Sequence, residues 1–120
     1  LYRALAWDHG CDLILHPSAF IRDATFPTYH QFATTRAVEN GVYLLSVNYA
    51  GSEWGDSISV PPWVGPVPGM KAGALAVATL GTDEESISLN VDSATLAAVR
   101  ELYPYRRNVN RVLRAHAGCE

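Results

Sequence analysis

Cys11 sits between His9 and His16, and a thiol near an imidazole is the pairing from which a nucleophilic thiolate is made. Such a thiol needs an electropositive, partly exposed setting. Here its neighbour is Asp12, and Leu13-Ile14-Leu15 follows as an apolar run. Cys11 therefore reads as packing at the start of a strand, the common fate of a free cysteine. Neither HExxH nor H-x(3–5)-H spacing occurs among His9, His16, His30 and His116, so no metal site is expected. His16 stands apart from the others. It ends an apolar strand just before a loop, the side of an α/β sheet where ligands tend to bind. A surface histidine without a role is the competing reading.

Two further groups invite chemistry. Gly55-Asp56-Ser57-Ile58 is similar to the opening of GDSL-type esterases, in which a later Asp-x-x-His activates the serine. The only histidine after Ser57 is His116, and Leu113 stands where the aspartate belongs. Ser57 also precedes a strand, whereas the esterase motif follows one. No serine hydrolase site is expected. Arg36 and Glu39 lie three apart on one helical face, a pairing worth about 0.2–0.5 kcal/mol if exposed. Alternatively Glu39, just before Asn40-Gly41, bonds loop amides beyond the helix. The sequence does not choose.

The elements that would position these groups are organised around residues 34–51. They read as the end of a helix, a stop at Gly41, the apolar run Val42–Val47 and a polar turn from Asn48 to Glu53. So continuous a run predicts a strand covered on both faces. The same unit stands once before it. Leu1–His9 gives a helix with Leu1, Ala4 and Leu5 on one stripe, closed by Gly10. Cys11–His16 gives a strand whose regular continuation Pro17 forbids. A loop spans Pro17 to Pro27, and Thr28 with Gln31 fits a capping box opening a helix to about Asn40. Helix, strand, helix, strand with short links predicts a layered α/β domain.

After Gly51 the pattern changes. Ser57–Val60 predicts a strand stopped by Pro61-Pro62, and a Pro- and Gly-rich stretch reaches Gly73. Ala74–Leu80 and Ser86–Val91 are expected to pair as a hairpin, with Ser86, Ser88 and Asn90 alternating against Ile87, Leu89 and Val91. Asp92 or Ser93 caps a last helix to Leu102, ended by Pro104, and residues 105–120 form a basic, loose end.

Composition sets the outer bounds. With 48% hydrophobic and 18% charged residues, the chain is an ordinary folded domain. A net charge of -3, with basic residues gathered only at Arg106, Arg107, Arg111 and Arg114, argues against a nucleic-acid partner. No apolar run reaches membrane-spanning length, so no membrane partner is expected. Cys11 and Cys119 form no CxxC and no disulfide framework, which fits a soluble, cytoplasmic protein. Leu1 opens already in helical pattern without a capping residue, so it reads as a cut point with a longer chain upstream.

Taken together, these pieces resemble the carbon–nitrogen hydrolase (nitrilase) superfamily, in its C-terminal half. Leu1-Tyr2-Arg3-Ala4-Leu5-Ala6 and then Gly10–Phe20 look like the helix and strand that follow that family's cysteine elbow. Arg36-Ala37-Val38-Glu39-Asn40 matches its Arg-Ala-x-Glu-Asn segment, the most specific match. Gly55-Asp56-Ser57 fits its Gly-x-Ser before a strand and Pro. Asn90-Val91-Asp92, Arg100 and Pro104-Tyr105-Arg106-Arg107 fit its end. The resemblance covers residues 1–113, leaving 114–120 as a flexible tail. The chain departs from the family pattern at His16 and at Pro61–Gly69, which replaces a short Pro-x-Gly hairpin.

The resemblance implies a partial four-layer α-β-β-α sandwich. It also implies a thiol hydrolase of small-molecule amide, carbamoyl or nitrile substrates, acting through a cysteine thioester and needing no cofactor. The family's Cys, Glu and Lys would lie upstream, so no catalytic residue is expected in this chain. What remains is a wall of the substrate pocket, for which His16, Ser18, Ala19 and Phe20 are the candidates, with Glu39, Asn48 and Trp54 as supports. Helices 1–9 and 29–40 would form a homodimer or higher-oligomer face, anchored by Tyr2, Trp7, Tyr29 and Phe32. The alternatives are a non-catalytic binding or assembly module of the same fold and, further off, a free-standing small α/β ligand-binding protein.

Overall fold

Gly10 takes φ +70°, a conformation that suits a residue without Cβ, and it closes the opening helix as its position suggested. The structure, a computed structural model, describes residues 1–63 and 77–108. Within the opening helix, Ala4–Asp8 is wound as a π-helix, with the His9 N–H on the Ala4 carbonyl at 3.1 Å. This wider winding moves the buried stripe. Ala6 and Trp7 are buried, whereas Leu1, expected on that stripe, is 91% exposed.

The strands are β1 (Leu13–Pro17), β2 (Tyr43–Val47), β3 (Ile58–Val60) and β4 (Ala78–Thr79), in the sheet order β1-β2-β3-β4. β1 and β2 run parallel, with Leu13 beside Tyr43 and Pro17 beside Val47, and the other pairings are antiparallel. A parallel pair needs a crossover, which helix α1 (Pro27–Asn40) supplies. The expected Thr28 capping box does not form. The cap position is Phe26, whose side chain makes no capping bond, because Pro27 is pre-organised to start the helix two residues earlier than expected. The Thr28 hydroxyl instead donates to the Thr25 carbonyl at 2.6 Å. At the other end Gly41, at φ 61°, stops α1 as expected.

Tyr29, Ala33 and Ala37 of α1 pack on Leu44, Ile58 and Val60, and beside them Ala6 and Trp7 pack on Ile14 and Val42. One face of the sheet is thus covered by helices. The opposite face carries Leu13, Leu15, Leu45 and Val47, side by side in the β1–β2 register. β2 was expected to be covered on both faces, yet Val47 is 48% exposed, and Leu15, the register partner of Leu45, is 64% exposed. Among the described residues the cover is one-sided there.

The expected hairpin also differs. β4 pairs with β3, and residues 86–91 join no strand. The intervening loop is instead closed on itself by the Glu85 carboxylate, which accepts the Gly81 N–H at 2.8 Å. The alternation read from the sequence sorts exposure only as far as Asn90: Ile87 and Leu89 are half-buried while Ser86, Ser88 and Asn90 are exposed, but Val91, expected inward, is exposed as well. Helix α2 (Ser93–Leu102) is capped by Asp92, whose carboxylate accepts the Thr95 N–H at 2.8 Å. Leu96 and Val99 bury its inner face, and Arg100 ties it to the strand starts. The Arg100 guanidinium donates to the Gly41 carbonyl at 3.0 Å, the Cys11 carbonyl at 3.1 Å and the Asp12 carboxylate at 2.8 Å.

Most of the Pro- and Gly-rich stretch, the start of the strand expected at Ala74, and the end segment with Arg111, Arg114, His116 and Cys119 lie outside the described residues. No helix among the described residues is long and apolar enough to cross a membrane.

Candidate functional site

Parallel pairing brings the ends of β1 and β2 together, so the loops that follow them meet. The Ser18 N–H extends the ladder one step by donating to the Val47 carbonyl at 2.8 Å. Just inside that edge His16 lies beside Ser46, with Nδ1 at 2.9 Å from the serine Oγ. The Tyr29 hydroxyl donates to the same Oγ at 3.0 Å and accepts from the Ser18 hydroxyl at 3.1 Å. Ser46 of β2 and Tyr29 of α1 are buried between the helix and the sheet. His16 and Ser18 thus belong to one hydrogen-bonded chain on the helix-covered side. Phe20 stacks on the Tyr29 ring, centroids 5.0 Å apart, and Ala19 is exposed at the loop. Tyr2 meets His16 edge-on at 5.8 Å, and burial pushes its phenol pKa up.

Asn48 joins the two loops. Its Oδ1 accepts the Phe20 N–H at 2.9 Å, and its Nδ2 donates to the carbonyls of Phe20 at 2.8 Å and Gly55 at 2.9 Å. Ser57 is spent on the same residue. Its hydroxyl accepts the Asn48 N–H at 2.9 Å and donates to the Asn48 carbonyl at 3.3 Å, an arrangement with no nucleophile in it. Trp54 stands on the turn with its ring edge against Tyr49 at 5.5 Å. Its carbonyl accepts Arg22 Nε–H at 2.6 Å.

The structure therefore brings His16, Ser18, Ala19, Phe20, Asn48 and Trp54 to one end of the sheet. Glu39 is not with them. It lies where α1 ends, before β2 begins, while Asn48 follows the far end of β2. There Glu39 pairs with Arg36 at 2.5 Å, the simpler of the two readings open to the sequence. Cys11 precedes β1 and His16 lies near that strand's other end, so the two are not juxtaposed. Among the described residues no cluster of His, Cys, Asp and Glu could hold a metal.

Sequence reasoning missed Tyr29 and Ser46 as site framework, and it missed Arg22, His30 and Asp56. Arg22 pairs with Asp56 at 2.7 Å, and His30 Nε2 lies 2.7 Å from the Asp56 carbonyl. The parallel register is what unites His16 with Ser46, and no local pattern announces it. Beside the turn, on the uncovered side of the sheet, Val47, Asn48 and Tyr49 line a cavity of about 430 Å³ with Gly81, Asp83 and Ser86 opposite. Of the candidate residues only Asn48 lines that cavity; His16, Ser18, Ala19 and Phe20 do not.

No protein-family model matches the chain. Omega-amidase NIT2-A of Xenopus laevis is 33% identical over 110 residues, which is 87% of this chain and 36% of the relative. Human omega-amidase NIT2 is 30% identical over 104 residues, 82% of this chain and 34% of the relative. The crystal structure of Saccharomyces cerevisiae Nit3, a member of branch 10 of the nitrilase superfamily, matches at TM-score 0.67 and 28% identity. It covers 85% of this chain and 36% of that one. The chain belongs to the nitrilase superfamily. It spans about a third of the length of the curated relatives it matches.

Nitrilase-superfamily folds are αββα sandwiches, and the described residues form one sheet with its helical cover. The Arg-Ala-x-Glu-Asn segment acts in that cover. Ala37 is fully buried against the sheet, and Asn40 Nδ2 donates to the Arg36 carbonyl at 2.9 Å, closing the last turn of α1.

Proposed function

We propose that this chain is the C-terminal part, residues 1–113, of a thiol hydrolase that cleaves non-peptide C–N bonds of small amides, carbamoyl compounds or nitriles. The observation that carries the reading is the 33% identity to an omega-amidase over 87% of the chain. In this reading a cysteine thiolate outside the chain attacks the substrate carbon. For an amide, the tetrahedral adduct collapses as the amine leaves protonated, and water then cleaves the thioester to acid and free thiol. A glutamate moves the protons and a lysine steadies the oxyanion, both outside this chain. The chain's own part is to shape the pocket. His16, Ser18, Ala19 and Phe20 form its wall, Asn48 and Trp54 hold that wall, and Glu39 stiffens the helix behind it.

The helical layer is the proposed homodimer face. Phe32 projects from α1 at 57% exposure, with the Arg3 guanidinium exposed on the same layer, its cation 4.7 Å over the Trp7 ring; Trp7 and Tyr29 themselves are buried in the chain's own core and cannot anchor a partner. An aromatic with an arginine is the composition favoured at interface anchors. A thiol nucleophile also suits a reducing, cytoplasmic setting.

The test is ammonia or amine release by the full-length protein from a panel of ω-amides, carbamoyl amino acids and nitriles. Turnover that iodoacetamide abolishes is expected. Serine, alanine or glycine at the nucleophile position would sink the reading in favour of a non-catalytic module.

A further inference from the structure

We propose that Arg22 is a positioning residue for the substrate wall, latching the turn after β2 to the loop after β1. The inference rests on reading residues 16–20 and 48–54 as that wall and its support. Arg22 crosses from one loop to the other with three groups at once. Its main-chain N–H donates to the Glu53 carbonyl at 2.8 Å, its Nε–H to the Trp54 carbonyl at 2.6 Å, and its terminal nitrogen meets the Asp56 carboxylate at 2.7 Å. The guanidinium plane rests over the Phe26 ring at 4.8 Å, which fixes the direction of the fork. A planar fork suits this double engagement, and a lysine's single point of charge does not.

The turn it holds has main-chain bonds of its own, Trp54 N–H to the Gly51 carbonyl at 3.0 Å and Gly55 N–H to the Tyr49 carbonyl at 2.7 Å, and it carries one strained residue. Asp56 takes φ 55°, and among the described residues it is the only non-glycine with positive φ. Its carbonyl is fixed by His30 at 2.7 Å and its N–H by the Gly81 carbonyl at 3.0 Å. The carboxylate is left to Arg22. Releasing it frees Trp54 and Asp56 together, on the side opposite Asn48's grip on Gly55. The loop then keeps its strand register and Asn48's bonds to Phe20 but loses the side-chain tie between Trp54 and the loop after β1.

The experiment compares wild type, Arg22→Ala and Arg22→Lys in the full-length protein. Hydrogen exchange is read at the amides of Gly51, Trp54, Gly55 and Asp56, and steady-state kinetics are read on the best substrate of the panel. In Arg22→Ala, exchange at those amides is expected to quicken by roughly 10-fold while the α2 amides are unchanged. KM is expected to rise so that kcat/KM falls by roughly 10- to 100-fold, with kcat held within about 2-fold if the turn positions substrate and does no chemistry. Arg22→Lys should fall between the two. A merely structural role predicts something else: lowered active fraction, unchanged KM and quickened exchange everywhere. That result, or unchanged exchange in the turn, overturns the latch. A wild type inactive on every substrate would overturn the functional reading instead, and the exchange comparison would still decide whether the latch exists.

Discussion

Asn48 holds both main-chain groups of Phe20, accepting its N–H at 2.9 Å and donating to its carbonyl at 2.8 Å. A residue just past one strand thus fixes the loop just past its parallel neighbour, across 28 residues of chain. Replacing Asn48 by Ala strands these groups and the Gly55 carbonyl in a site where Asn48 is 8% exposed. A buried polar group left unmatched costs about 1–3 kcal/mol. Asn48→Ala is therefore expected to lower unfolding free energy by roughly 3 kcal/mol, and the urea midpoint of the full-length protein checks it. Asn48→Asp should be no milder, since a carboxylate would face two carbonyls. A midpoint unchanged in Asn48→Ala would refute the staple.

Gly55 and Gly10 make a matched pair. Both have positive φ, 85° and 70°, but a Cβ on Gly55 would lie 2.8 Å from the Gly81 carbonyl oxygen, whereas one on Gly10 would meet nothing within 4 Å. Gly10→Ala should cost only the left-handed penalty of about 1–2 kcal/mol. Gly55→Ala adds an overpacking cost of about 1–3 kcal/mol, because backbone and not a flexible side chain must move. Denaturant midpoints of the two variants give the order directly, and equal losses would remove steric contact as the reason for Gly55.

What the sequence could tell divides along physical lines. The helix stop at Gly41, a cap at Asp92 or Ser93 and the presence of the first two strands were legible, because each depends on neighbours in the chain. The Thr28 cap was misread because Pro27, one residue before it, starts the helix earlier. Strand pairing at residues 86–91 was misread for a deeper reason. Alternation records which side chains face inward, and it does not say whether a partner strand lies alongside. The same gap hid the site framework: Ser46 and Tyr29 look like core residues until register puts them against His16 and Ser18. Arg22, in a loop with no periodicity, gave no signal at all.

Asp92 should make α2 sensitive to acid. The Thr95 hydroxyl, and then the Thr95 N–H, hold its carboxyl below the ordinary 3.8. The unfolded chain takes up a proton near that ordinary value, and the folded one resists until lower pH. The capping contribution is therefore present above it and lost as pH falls through the folded-state value. Asp23 shifts in the same direction, through the Thr25 hydroxyl, so wild type must be compared with Asp92→Asn. The amide caps α2 without titrating. Exchange of the α2 amides between about pH 6 and pH 3 should show an acid-dependent loss in wild type that the variant lacks. Parallel profiles would contradict the cap as its source.

The uncovered sheet face makes the last prediction, and its sign depends on context. Leu15 is 64% exposed and Val47 48% exposed, diagonal to each other across the β1–β2 pair on the side away from α1, Leu15 being paired with Leu45 and Val47 with Pro17. Burying a leucine or valine side chain is worth about 1.5–3 kcal/mol, so residues 1–120 alone present a face that favours association over water. The isolated chain is expected to bind an apolar dye, to self-associate in sedimentation and to melt without a sharp transition. Leu15→Lys with Val47→Lys should then raise its solubility. In the full-length protein, where an αββα sandwich sets a second sheet against this face, the same two substitutions would bury charge in a sheet-to-sheet core. A buried unpaired charge costs several kcal/mol, so there they should abolish folding. Opposite effects in the two contexts would mark this face as the inner face of the sandwich. A monomeric isolated chain with a sharp two-state melt, or a full-length protein indifferent to both lysines, would rule that out.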